Sequence, residues 1–96
     1  MDFIFIGKQK LLRLLKKQMN RKDIQLKDIQ YSREENYNTN KCEKVVYIEN
    51  DIHYEIINLY TGYRYPTSTL YFEKVVRVSE NSYEVEQKKI LDLKEI

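Results

Sequence analysis

The stretch "EKVVYIENDIHYEIINLY", residues 43–60, decides how this chain folds. Both halves are rich in β-branched and aromatic side chains, and Asn50 and Asp51 lie between them. These two residue types tolerate the left-handed backbone of a two-residue type I′ loop, so the segment predicts a β-hairpin with its turn at 50–51. The pairing sets Ile48 opposite His53, Tyr47 opposite Tyr54 and Val45 opposite Ile56. Apolar residues then occupy both faces of the ribbon: Val45, Tyr47, Tyr54 and Ile56 on one, Val46, Ile48, Ile57 and Leu59 on the other.

Strand chemistry continues toward the C-terminus. At "LYTGY" (59–63) a two-residue loop would drive β-branched Thr61 to positive φ, so a three-residue loop with Gly62 in the left-handed position is expected. That loop would place Leu59 opposite Tyr63 and Ile57 opposite Tyr65, with Pro66 ending the pairing or marking an edge. The segment "LYFEKVVRVSENSYEVEQKKIL" (70–91) predicts a third hairpin with Glu80 and Asn81 at its tip. Its expected pairs are Val78 with Tyr83, Val76 with Val85, Arg77 with Glu84 and Glu73 with Lys88.

On the N-terminal side the period changes. From Lys8 to Arg21, at 100° per residue, Leu11, Leu12, Leu14, Leu15 and Met19 fall on one side of a helix. Lys10, Arg13, Lys16, Lys17 and Arg21 fall on the other, and Asn20 is the expected stop. The preceding "FIFI" (3–6) reads as a short strand or extended arm. "DIQLKDIQY" (23–31) alternates for part of its length, as an edge strand would, and the polar residues from about 32 to 42 read as a loop.

The predicted fold class is therefore α+β within one domain spanning 1–96. One basic amphipathic helix (about 8–21) packs on an antiparallel meander of four to five strands (about 43–94). The second apolar face needs a cover of its own. A strongly curled or barrel-like sheet, the "FIFI" arm or another protein chain could supply it.

Composition agrees with one small folded unit. Ninety-six residues, 42% hydrophobic, carry a net charge of only +2, outside both the disordered and the histone-like regimes. The charge is unevenly placed: residues 1–30 carry a net of +5 and residues 31–96 a net of −3. Cys42 is the single cysteine, which removes any intramolecular disulfide and fits a reducing compartment. The apolar run at the N-terminus is too short for a secretory core or a membrane span, so a cytoplasmic location is expected.

Several chemistries are disfavoured. One histidine and one cysteine fall short of a zinc ligand set, and neither a calcium-loop spacing nor a glycine-rich phosphate loop is present. No cofactor, no metal and no catalytic residue is expected, because Cys42 and His53 lie near opposite ends of the same strand pair.

Two surface features could carry binding instead. Lys10, Arg13, Lys17 and Arg21 recur at helical spacing along a ridge about 16 Å long, which is a phosphate-contacting surface or an ordinary solvated face. The tyrosines are the other feature. "YRY" at 63–65 has the aromatic and basic interleaving that suits base stacking, while tyrosine also serves protein interfaces. Most of the rings are expected to form core wall, with exposure chiefly at Tyr31, Tyr37 and Tyr71.

No motif carries a named family. In size and build the chain is similar, at the level of class, to small accessory proteins of phages and mobile elements, including anti-CRISPR-like inhibitors of host defence nucleases. The expected function is non-enzymatic occupation of a macromolecular surface, with another protein as partner. The contact area would comprise Lys10, Arg13, Lys17, Arg21, Tyr31, Tyr37, Tyr63, Arg64 and Tyr71. A nucleic-acid-binding module is the alternative: the helix cations would meet phosphates and Arg64 with its flanking tyrosines would meet bases. No membrane role is expected, since the leucine face is needed for the core. A homodimer is compatible with either reading.

Overall fold

In a computed structural model of the chain, residues 4–35, 40–62, 67–92 and 94 are described. One helix packs on a five-stranded antiparallel sheet, as the sequence predicts. The helix is α1 (Lys8–Met19); the strands are β1 (Gln30–Glu35), β2 (Asn40–Glu49), β3 (Ile52–Thr61), β4 (Thr67–Ser79) and β5 (Ser82–Leu91). They lie in sequence order, β1 and β5 at the two edges, and the sheet does not close into a barrel.

The β2–β3 hairpin has the predicted register. Ile48 faces His53, Tyr47 faces Tyr54 and Val45 faces Ile56. Asn50 and Asp51 both adopt the left-handed conformation, with φ of 54° and 62°.

The outer hairpins depart from expectation. Residues 32–42 are mostly strand rather than loop: Ser32 to Glu35 belong to β1 and Asn40 to Cys42 to β2. An edge strand half in water can be polar throughout, because ladder hydrogen bonds and cross-strand charges hold it. Here Glu35 lies across from Lys41 with their charged groups 3.6 Å apart, and the Arg33 guanidinium stands over the Phe5 ring, 3.5 Å from its centroid. Only Gln30 and Tyr31 of the proposed edge strand 23–31 join the ladder, and Leu26–Asp28 instead forms a 3₁₀ turn.

The β3–β4 connection is wider than the predicted three-residue loop. Thr61 stays in the strand, paired with Thr67, and their hydroxyls are 2.6 Å apart. Ile57 therefore faces Tyr71 and Leu59 faces Thr69. The pairings expected for Tyr63 and Tyr65, and the role of Pro66, lie outside the described residues.

In the β4–β5 hairpin the tip is at Glu80 and Asn81 as expected, and Glu73 faces Lys88. Between them the register slips by one. Val78 is an extra residue on β4 and Glu86 an extra residue on β5, so Arg77 faces Tyr83, Val76 faces Glu84 and Val75 faces Val85. The two bulges cancel. Bulges concentrate at sheet edges, where they interrupt an otherwise open ladder, and cross-strand side-chain matching could not register them.

The core lies between α1 and one face of the sheet. Leu11, Leu12, Leu14 and Leu15 pack with Ile24, Ile29, Val45, Ile56, Leu70, Phe72 and Leu91, and Ile6, Met19, Tyr31, Tyr47 and Tyr54 close its margins. The helix ends at Met19, two residues before its predicted end. Asn20 caps it at φ 54°, and the backbone N–H groups of Asn20 and Arg21 donate to the carbonyls of Lys17 and Lys16.

The described part of the "FIFI" arm, residues 4–6, does not cover the second face. With Gly7 these residues are neither helix nor ladder strand, and they are tied to the core side. Gly7 turns the arm into the helix at φ 97° and ψ 156°, a region that residues with a Cβ rarely enter. A Cβ there would meet nothing within 4 Å, so the cost of Gly7→Ala is conformational. This variant is expected to lose about 1–3 kcal/mol in urea unfolding. A loss of only a few tenths would show that the arm leaves this conformation at little cost.

Candidate functional site

On α1 the four leucines are at most 7% exposed, whereas Lys10, Arg13 and Lys17 on the opposite flank are exposed. None of these three makes an ion pair among the described residues. Lys16 and Lys17 also sit in the last helical turn, where cations complement the helix dipole. With Asn20, Arg21 and Lys22 they line a shallow cleft of about 270 Å³.

Arg21 is placed differently from its predicted ridge neighbours. It follows the helix cap and bends back over the sheet margin, donating to Asp23 and, at 2.9 Å, to Glu49. Its guanidinium stands over the Tyr47 ring, 5.3 Å from the centroid. Hydrogen bonds to Asp23 and then Glu49 push its pKa above the ordinary arginine value and hold it charged. The free cationic ridge therefore runs from Lys10 to Lys17, about 10 Å.

The tyrosines divide. Tyr31 is not one of the exposed rings: it is half-buried at the core margin and donates to Glu43 at 2.8 Å. Burial and that hydrogen bond raise its pKa. It is on the side of the sheet that an inward-facing residue of β1 must occupy. Tyr71 is half-buried on the other face, where the Lys88 ammonium lies 4.5 Å from its ring centroid. Burial, then Glu73, raises its pKa. Tyr37, Tyr63 and Arg64 lie outside the described residues.

One buried group was missed by motif reading. Glu43 is 0% exposed and its carboxylate accepts four hydrogen bonds: from the backbone N–H groups of Ile6 (2.6 Å) and Gly7 (2.8 Å), from Tyr31 and from Asn58 Nδ2 (2.9 Å). Asn58 Nδ2 also donates to the Ile4 carbonyl. Desolvation pushes the Glu43 pKa up, but the donors, Asn58 foremost, outweigh it and the net shift is downward. Because α1 has no acidic residue in its first turn, this carboxylate is also the negative charge beside the helix N-terminus. The legible signal was parity, since Glu43 alternates into register with Val45 and Tyr47.

The opposite sheet face has no helix or strand over it among the described residues. It carries Val46 and Ile48 of β2, His53, Ile57 and Leu59 of β3, Tyr71 and Val75 of β4, and Tyr83, Val85 and Ile90 of β5. Val46 and Ile57 are buried by their neighbours alone, beside a 3.0 Å ion pair between Lys44 and Glu55. Toward the edges cover is lost: Ile48 is 45% exposed and Ile90 62%.

Cys42 and His53 share this face without meeting. Six residues along β2 separate Cys42 from Ile48, the partner of His53, which is about 20 Å of strand. Burial, then Glu34, raises the Cys42 pKa and keeps the thiol protonated, the opposite of what an attacking sulfur needs. No group of three or more metal-ligating side chains occurs among the described residues. Nor is any described helix long and apolar enough to cross a membrane. No protein-family model, curated protein or solved structure matches the chain.

Proposed function

We propose that this protein is a non-enzymatic binding module that occupies an acidic patch on another protein, using the outer flank of α1. The reading rests on one observation: Lys10, Arg13 and Lys17 stand exposed and without ion-pair partners among the described residues, directly above leucines that anchor the helix. Rigid placement matters, because the helix backbone is already ordered and only the side-chain rotamers remain to be fixed when a partner docks.

A protein partner is favoured over a nucleic acid by scale. With Arg21 engaged elsewhere, three cations over about 10 Å neutralise only a few phosphates, and the net −3 of residues 31–96 repels an extended polyanion. The apolar sheet face also suits a protein surface. Blocking a host enzyme by surface occupation, as small accessory proteins of phages and mobile elements do, is one form that such binding takes.

The test is capture from a lysate of the native host, comparing the wild-type chain with an Arg13→Glu/Lys17→Glu variant. A stoichiometric protein should be retained by the wild type after nuclease treatment. Its affinity for the variant should fall at least about tenfold, since two attractive contacts become repulsive. Capture indifferent to the reversal would overturn the site. Recovery abolished by nuclease, with binding that falls steeply with salt, would establish the nucleic-acid reading instead.

A further inference from the structure

The charges of the edge strand β5 follow an order that the monomer uses only in part, with Glu86 3.5 Å from Lys74 and Lys88 over the Tyr71 ring. Along "SYEVEQKKIL" (82–91) the carboxylates Glu84 and Glu86 come first and the cations Lys88 and Lys89 second. Every residue of β5 except Leu91 is exposed, and neither Glu84 nor Lys89 makes an ion pair among the described residues. A strand whose halves carry opposite charge is complementary to itself when a second copy runs antiparallel to it.

The bulge selects the register. Because Glu86 is an extra residue, the alternation shifts by one across it. Tyr83, Val85, Lys88 and Ile90 then share the open face, while Glu84, Gln87, Lys89 and Leu91 share the helix side. Antiparallel partners must lie on the same face. A two-fold axis between Glu86 and Gln87 meets that condition: it sets Tyr83 against Ile90 and Val85 against Lys88 on the open face, and Glu84 against Lys89 on the helix side. Tyr83 and Ile90, 52% and 62% exposed, gain an aromatic–aliphatic pair, and each contact occurs twice. Shifting the two copies by two residues in either direction loses both the Tyr83–Ile90 and the Glu84–Lys89 pairs.

We infer that the protein forms a symmetric homodimer by antiparallel pairing of β5 with β5 of a second copy, the bulge lying on the two-fold axis. The product is a ten-stranded sheet. Both α1 helices lie on one side of it, so two cationic flanks face the same way, and the open faces join on the other. The dimer does not depend on the partner-binding role assigned to α1.

Sedimentation equilibrium of the full chain at rising concentration tests this, with Glu84→Lys and Lys89→Glu as variants. The wild type should pass from 11.8 kDa to twice that mass. Each variant alone places like charges across both contacts and should weaken the dimer at least about tenfold. An equimolar mixture of the two restores opposite charges at both contacts and should recover the wild-type dimer as a heterodimer. Both positions are exposed, so unchanged circular dichroism establishes that the variants are folded. A wild type that stays monomeric to about 1 mM would overturn the inference, its charges and bulge then serving as edge protection. So would single variants that keep the dimer, or a mixture that fails to restore it.

Discussion

Glu43→Gln is expected to lower the unfolding free energy by about 2–4 kcal/mol, a large part of the 5–15 kcal/mol typical of small domains. Four donors converge on this carboxylate, which is completely removed from solvent. Glutamine keeps one acceptor oxygen and turns its own N–H groups toward the remaining donors. The network has little freedom to adjust, because Asn58 Nδ2 is also held by the Ile4 carbonyl and the Ile6 and Gly7 donors are backbone. The arm should loosen with the helix start, giving faster amide exchange at Ile6 and Gly7 than at the middle of β3.

The same substitution carries a pH dependence of definite sign. Native Glu43 titrates below the ordinary glutamate range, so the folded state binds its proton less readily than the unfolded state. Its stabilisation is fully present above the unfolded pKa and disappears as pH falls through the lower, folded one. Urea titrations should therefore show a gap between wild type and Glu43→Gln that is constant around neutrality and narrows on acidification below the ordinary carboxylate range. A gap unchanged into strong acid would mean that Glu43 titrates alike in the folded and unfolded states, and a gap that widened would mean that its folded pKa is raised.

Leu15→Ala should cost about 3 kcal/mol, within the 2–5 kcal/mol range for buried leucines. Leu15 is 0% exposed in the cluster that joins α1 to β2 and β3. Truncation loses the transfer energy of the removed methyl groups and leaves a cavity, because sheet backbone on one side and neighbouring leucines on the other limit collapse. Lys17→Ala, two positions along on the exposed flank, should change stability by no more than about 0.5 kcal/mol. The urea midpoint should fall for Leu15→Ala with the slope preserved. A loss under about 1 kcal/mol would show that the leucine face is not a fixed anchor, and the display of Lys10, Arg13 and Lys17 would lose its structural basis.

These effects have different visibility in the chain. Leu15 could be placed by counting alone, because a 3.6-residue period with leucines on one side and lysines on the other specifies the buried flank. Glu43 required a second step: it is an acidic residue at an alternation position reserved for the core, and only the fold reveals the donors that make it tolerable there. The hairpin at Asn50–Asp51 was readable for a local reason, two adjacent residues suited to positive φ between strongly β-forming segments. The bulges at Val78 and Glu86 were not readable, since regular pairing at 70–91 already gave four matched pairs, Val78–Tyr83, Val76–Val85, Arg77–Glu84 and Glu73–Lys88.

By itself the sequence determined one helix with a buried leucine flank, an antiparallel meander after it, and the register of its central hairpin. Each of these depends on interactions within a few residues or on a strict period. Tertiary structure alone decided that the polar residues 32–35 and 40–42 form a hairpin at the sheet edge, that residues 4–6 of the "FIFI" arm lie on the helix side, and that Arg21 leaves the cationic ridge for Glu49. In all three the deciding partner is distant along the chain or is a ladder hydrogen bond indifferent to side-chain type. Local pattern carries no record of either.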